Sequence, residues 1–186
     1  MNYDPATGLV TRPPDQDLQN RITLLARLGL TAAEDGSGTW GGGELDAFAS
    51  ELAAATGEAY AMVNLVTDHQ YFIGLHNPQG GDLPPAGRTM SLDDGYCPDV
   101  VSRRLALPLP DVCAAPRFAG NRVFDVLGIR TYTGAPLIHH DSGLVIGTLC
   151  VVGPEARPLN EARERLSLVK DRCTRLMNRI GQRTNW

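Results

Sequence analysis

Near its C-terminal end the chain carries two runs dense in β-branched and apolar residues, "IRTYTGAPLI" and "LVIGTLCVV", separated by "HHDSG" and followed by a long amphipathic stretch. Such runs predict two strands, over 129–138 and 144–152, joined at a hairpin tip and leading into a terminal helix. This ending commits the fold to a sheet with at least one helix beside it.

Upstream residues supply the rest of the sheet and its cover. "AYAMVNLV" and "YFIGLH" predict another antiparallel hairpin across the turn-prone "TDHQ", and "LPLPDV" a short further strand. Leu18, Ile22, Leu25 and Leu28 recur at helical spacing and predict a first helix ending at Gly29. Leu45, Phe48, Ala49, Leu52 and Ala53 mark a second, stopped by Gly57 as a C-cap. Shorter helices are expected at "CPDVVSRR" and "NRVFDVLG". The fold class is therefore α+β: an antiparallel sheet of about five or six strands with helices on both faces. With 186 residues and 42% hydrophobic content, one core is expected. The expected domain covers 16–182, between tails at 1–15 and 183–186.

Composition removes several function classes. A net charge of -4 and a pI near 5.5 provide no field for nucleic acid or anionic lipid, so neither is expected as a partner. The N-terminal residues lack a signal peptide's basic and apolar regions, and no apolar run is long enough to span a membrane. A cytoplasmic protein is expected. Cys97, Cys113, Cys150 and Cys173 form no CxxC pair, which argues against a disulfide scaffold or zinc knuckle. His139 and His140 stand beside Asp141, but His69 and His76 promise no further convergent ligand, and no metal is expected. Gly36, Gly38 and Gly41 spell GxGxxG, yet they follow a helix rather than a strand and read as a loop.

Taken in order, "DHQYFIGL", "GYCPDVV", "PDVCAAPRFAGN", "RTYTGAPL" and "GLVIGTLCVV" resemble the GAF family of small-molecule sensor domains over roughly 16–182. The resemblance implies a pocket between the sheet and the helices beginning near Cys97 and Asn121. It also implies a regulatory role, in a chain expected to be free-standing and to signal through a partner protein. Two places depart from the pattern: Ala115 stands where an aspartate is expected, and the loop after Gly74 is rich in Gly and Pro. Cyclic-nucleotide GAF domains carry an Asn-Lys signature, whereas Lys170 in the terminal helix is the only lysine here. Bilin-binding members attach pigment at a cysteine usually followed by histidine, and Cys97 is followed by Pro98. No nucleotide or covalent bilin is expected, and the ligand is left unknown.

Candidate site residues are Cys97, Asp111, Arg117, Arg130 and Tyr132. Tyr132 and Arg130 share strand parity, while Arg117 offers a forked cation and Asp111 an acceptor. The alternative for those two is an Arg117–Asp111 ion pair that holds the loop. Pro98 suits a helix start, which would put Cys97 near an N-terminus that favours thiolate; Asp93, Asp94 and Asp99 would oppose it. Cys113 is the candidate resolving thiol, and Cys150 and Cys173 are assigned to the core. The leading reading is a non-enzymatic small-molecule or redox sensor. One alternative is a reductase of the free methionine sulfoxide reductase type using Cys97 and Cys113. Against that, Leu127, Gly128 and Ile129 occupy the region where the attacking cysteine of that group is expected. Another alternative is a structural interaction module whose pocket is filled by its own side chains.

Ala162, Leu166, Val169, Cys173, Leu176 and Ile180 form a heptad-like seam in the terminal helix, which favours a homodimer through terminal helices. Packing against the first helix of the same chain would also satisfy it. Arginines dominate the other face, either paired along the helix or offered to an acidic partner.

Overall fold

The computed structural model describes residues 2–4, 6, 10–11, 14–30 and 43–184. The GxGxxG loop at Gly36, Gly38 and Gly41 lies outside the described residues. Within the expected N-terminal tail, β1 (Asn2–Tyr3) and β2 (Val10–Thr11) pair as a small antiparallel ribbon. There follow α1 (Leu18–Arg27), α2 (Glu44–Thr56), β3 (Tyr60–Val66), β4 (Gln70–His76) and β5 (Thr89–Met90). Next come α3 (Cys97–Arg103), β6 (Leu107–Leu109), a 3-10 turn at Val112–Ala114, α4 (Pro116–Ala119) and α5 (Arg122–Leu127). The chain closes with β7 (Thr131–Ile138), β8 (Val145–Gly153) and α6 (Leu159–Thr184). The main sheet has six antiparallel strands in the order β5-β4-β3-β8-β7-β6.

β3 and β8 sit at the centre and are buried along their whole length, because alternate residues enter two cores. Ala61, Val63, Leu65, Leu149 and Val151 meet α1, α2 and α6 on one side. Tyr60, Met62, Cys150 and Val152 meet α3 and α5 on the other. Gly74 lets α2 lie close against β4, since a Cβ there would fall 2.5 Å from the Leu45 carbonyl oxygen. Gly57 closes α2 in the left-handed conformation, as expected of a C-cap.

The first helix buries a different stripe from the expected one. Ile22 is exposed, and Arg21, Leu25 and Leu28 form the inner face. The Arg21 Nε donates to the Val145 carbonyl at 2.6 Å and its Nη1 to the Val66 carbonyl at 3.2 Å, while Asp15 neutralises it at 2.6 Å. A buried guanidinium is tolerable here because strand-end carbonyls and a carboxylate consume its donors.

The terminal seam is also occupied. Val169, Cys173, Leu176 and Ile180 are buried in the same core as α1, α2 and the sheet. Fully burying each apolar side chain of this kind is worth about 1.5–3 kcal/mol, which fixes α6 to its own chain. The stripe that suggested a homodimer is therefore used within the chain. The expected arginine docking face is largely spent on α2: Arg179 and Arg183 each reach Glu44 at 2.5 Å, and Arg172 lies 3.8 Å from Glu51. At the start of α6, Arg165 and Arg157 approach the buried Glu58 at 3.0 and 3.4 Å. Burial pushes the Glu58 carboxyl up, against the pull of Arg165 and Arg157. Among the described residues no helix is long and apolar enough to cross a membrane.

Candidate functional site: a buried thiol chamber

The space beneath α3 is built by a chain of polar contacts that starts in the sheet. Asn64 donates to the Gln70 side-chain oxygen at 3.2 Å, and the Gln70 amide donates to the carbonyls of Ser91 and Asp94 at 2.6 and 2.7 Å. These bonds set the turn before Gly95. Asn121 then holds Gly95 from both sides, accepting from its N–H at 2.9 Å and donating to its carbonyl at 3.0 Å. The same Asn121 oxygen caps α5 by accepting from the Val123 N–H at 3.2 Å. One side chain thus fixes the starts of α3 and α5 together.

Cys97 is the first residue of α3, and its side chain points into the chamber. Its sulfur lies 3.6 Å from the Cys150 sulfur and accepts from the Tyr132 hydroxyl at 3.5 Å. The Cys150 thiol also faces the Met62 sulfur at 3.9 Å, its direct cross-strand neighbour. Tyr132 reaches the thiols by lying along its own strand over Gly134. A Cβ at position 134 would stand 2.1 Å from the Tyr132 hydroxyl oxygen. Tyr96 packs edge-on against Tyr132 and Phe118, with ring centroids 5.2 and 5.8 Å apart.

The thiol pair is polarised. The Cys150 thiol lowers the Cys97 thiol to about 6, with the Thr148 hydroxyl, the Tyr132 hydroxyl and the Asn64 amide assisting against burial. The Thr148 Oγ1 and the Asn64 Oδ1 have no hydrogen-bond partner among the described residues, while the Asn64 amide donates to Gln70. The Cys150 thiol is pushed well up, first by its bond to Cys97 and then by burial. Burial likewise raises the Tyr132 and Tyr96 hydroxyls, so both stay neutral; Tyr132 donates to Cys97, and the Tyr96 hydroxyl has no partner among the described residues. The nearby carboxylates do not counter this. Asp99 is paired with Arg117 and Asp94 lies 3.5 Å from Arg122, so their charge is spent locally.

Of the five expected site residues, the structure places only Cys97 and Tyr132 in the chamber, and it pairs Asp111 with Arg130 outside it. Arg117 pairs with the buried Asp99 rather than Asp111. Asp111 instead receives a two-pronged bond from Arg130 at 3.1 and 3.2 Å, which lowers its carboxyl. Arg130 precedes β7 and is exposed, unlike Tyr132. The expected resolving thiol is replaced as well. Cys113 is exposed in the 3-10 turn and is not among the groups around the Cys97 sulfur, where Cys150 stands. Asn64, Gln70, Gly134 and Thr148 were not singled out by sequence, and Asn121 was expected only as the start of a helix beside the pocket. His139 bonds to Ser142 and His140 to Asp141 at the hairpin tip, and the described residues hold no cluster of three or more His, Cys, Asp or Glu that could bind a metal.

The chamber itself holds a cavity of only about 30 Å3, lined by Met62, Met90, Tyr96, Cys97, Tyr132 and Cys150 among others. It shares Met90, Val123 and Leu127 with an outer opening of about 370 Å3 bordered by Ser91, Asp94 and Arg122. A wider opening of about 470 Å3, near Asp17, Asp68 and Arg104, lies away from the thiols.

A six-stranded antiparallel sheet with short helices over one face and a buried residue cluster beneath them defines an α+β domain. The chain belongs to the GAF domain family, which it matches over residues 43–180. No curated protein matches it. Among solved structures, it is similar to the phycocyanobilin-bound GAF domain of a cyanobacterial phytochrome, with TM-score 0.56, 14% identity, and 93% of this chain and 98% of that one covered. The GAF domain of an Acinetobacter phosphoenolpyruvate-protein phosphotransferase gives TM-score 0.54 and 17% identity, covering 91% and 95%. Free methionine-R-sulfoxide reductase from Neisseria meningitidis, solved with its substrate, gives 0.51 and 17%, covering 89% and 95%. At these identities the likeness is one of fold.

Proposed function

We propose that this GAF domain is a non-enzymatic regulatory module that senses oxidants through the Cys97–Cys150 thiol pair and signals through a partner protein. The observation that carries the reading is the 3.6 Å separation of two buried sulfurs, in which the Cys150 thiol favours the thiolate form of Cys97. A hydroperoxide is the oxidant class. The Cys97 thiolate attacks the terminal peroxide oxygen, the O–O bond breaks, and the released alkoxide or hydroxide takes up a proton. Cys150 then attacks the resulting sulfenic sulfur, forming the S–S bond and expelling the oxygen as water, with the Cys150 proton completing it.

Bond formation supplies the signal. Disulfide sulfurs stand about 2.05 Å apart, so the pair must close by about 1.5 Å. β8 is central in the sheet, so α3 is the element that moves. The Asp99–Arg117 pair and the Asn121 bonds pass that displacement to α4 and α5. A reductase using Cys97 and Cys113 is disfavoured by the placement of Cys113. The small inner cavity favours one other reading, a structural module filled by its own side chains.

Intact-mass analysis of the reduced protein treated with hydroperoxide tests the proposal. A loss of about 2 Da that survives Cys113→Ser and vanishes in Cys150→Ser supports it. Oxidation confined to Cys113, or none, sinks it and leaves the structural module.

A further inference from the structure

The chain has four cysteines and four methionines, and two of each line the inner cavity of about 30 Å3. Met62 and Cys150 are cross-strand partners on β3 and β8, and Cys97 reaches them from α3. Cys150 stands 3.6 Å from one sulfur and 3.9 Å from the other. Three sulfurs from two strands and a helix therefore converge at a site where Cys97 is 4% and Cys150 1% exposed.

We propose that Met62, Cys97 and Cys150 form a binding site for a soft monovalent cation, Cu(I). Thiolate and thioether ligands together select soft metals, and Cu(I) accepts them in low coordination number. A metal–thiolate bond of about 2.3 Å, the length known for zinc, places trigonal ligands about 4.0 Å apart. The Cys150–Cys97 and Cys150–Met62 separations need widening by only about 0.4 and 0.1 Å to meet that spacing. No carboxylate is in the cavity lining to favour a hard cation. Zinc would require a fourth good ligand, and the remaining sulfur, Met90, is a thioether. Both thiols give up protons to solvent on loading, and the Tyr132 hydroxyl donating to Cys97 offsets the negative charge left on sulfur. The site uses the two thiols of the sensing pair but does not depend on their oxidation. Loading needs little motion of α3, whereas disulfide closure needs about 1.5 Å, so the metal occupies the pair without producing the signal.

The test is an anaerobic titration of the reduced full chain with Cu(I) buffered by bathocuproine disulfonate. The expected result is one Cu(I) per chain withheld from the chelator, unchanged in Cys113→Ser and lost in Cys150→Ser. Met62→Leu, which keeps the apolar volume, is expected to weaken retention by about tenfold or more. The same variant must still unfold in one cooperative urea transition, which shows that its chamber is intact. Failure of the wild type to hold Cu(I), or equal retention by Met62→Leu, overturns the three-sulfur site. Cu(I) retention without disulfide formation would remove the oxidant reading and keep the metal site; disulfide formation without retention would do the reverse.

Discussion

The two faces of the sheet differ in what their helices are made to do. Toward α1, α2 and α6 the contacts are apolar, and the charged groups, whether buried or at the rim, are tied off in pairs such as Arg21–Asp15, Arg165–Glu58 and Arg179–Glu44. Toward α3, α4 and α5 the helices have 4 to 7 residues, and the core contains thiols and phenols beside the unpartnered Asn64 Oδ1 and Thr148 Oγ1, whereas around α6 the buried atoms without a hydrogen bond belong to the ion-paired Glu58, Arg157, Arg165 and Arg172. β3 and β8 contribute to both faces through alternate residues. One face can therefore carry stability while the other keeps reactive groups in imperfect surroundings.

The sharpest break of that contrast should come from the stable face. Glu58→Ala leaves the buried Arg165 without its carboxylate and is expected to cost about 3–5 kcal/mol, read by urea denaturation. At equal folded fraction, its Cys97 reactivity should stay at the wild-type level. Gly134→Ala attacks the other face by forcing the Tyr132 hydroxyl off its place. We expect about 1–3 kcal/mol of destabilisation together with a slower reaction at Cys97.

A third change leaves packing nearly alone and tests the chemistry. At low reagent concentration, Cys97 alkylation should rise with pH around a midpoint near 6, because thiolate is the nucleophile and the folded protein favours it. In Cys150→Ala the largest cause of that shift is gone, so the midpoint should move upward toward the ordinary thiol range. A midpoint that stays put would show that Tyr132 and the polar strand residues set it instead. The smallest effect is expected from Arg130→Ala, which removes an exposed pair with Asp111 and should leave the urea midpoint within error of wild type.

Helix and strand identities were legible because apolar periodicity and glycine caps are local signals. Phe48, Leu52 and Gly57 behave as their spacing demands. Arg21 was hidden because its burial depends on carbonyls supplied by residues 45 and 124 positions away. The site was less legible for a similar reason. Gly134 stands opposite Cys150, but the register of β7 on β8 slips between Leu137 and Ile138, a bulge that no residue pattern announces. Arg117 and Asp111 looked like partners because they are near in sequence, whereas the fold gives each a different mate. Cys150 reads as core and is core; only its 3.6 Å approach to a helix from elsewhere in the chain gives it chemistry.

The inner cavity, with room for about one water molecule, also determines how time enters the response. A reagent larger than that meets Cys97 only while α3 or α5 is lifted, so at high concentration its rate levels off at the opening frequency. Reagents of unequal intrinsic strength then converge on one ceiling, and the temperature coefficient becomes that of the opening rather than of sulfur. Under the oxidant reading proposed above, a brief intense pulse would be largely ignored while a weaker exposure that persists would be registered, so the chamber would measure duration.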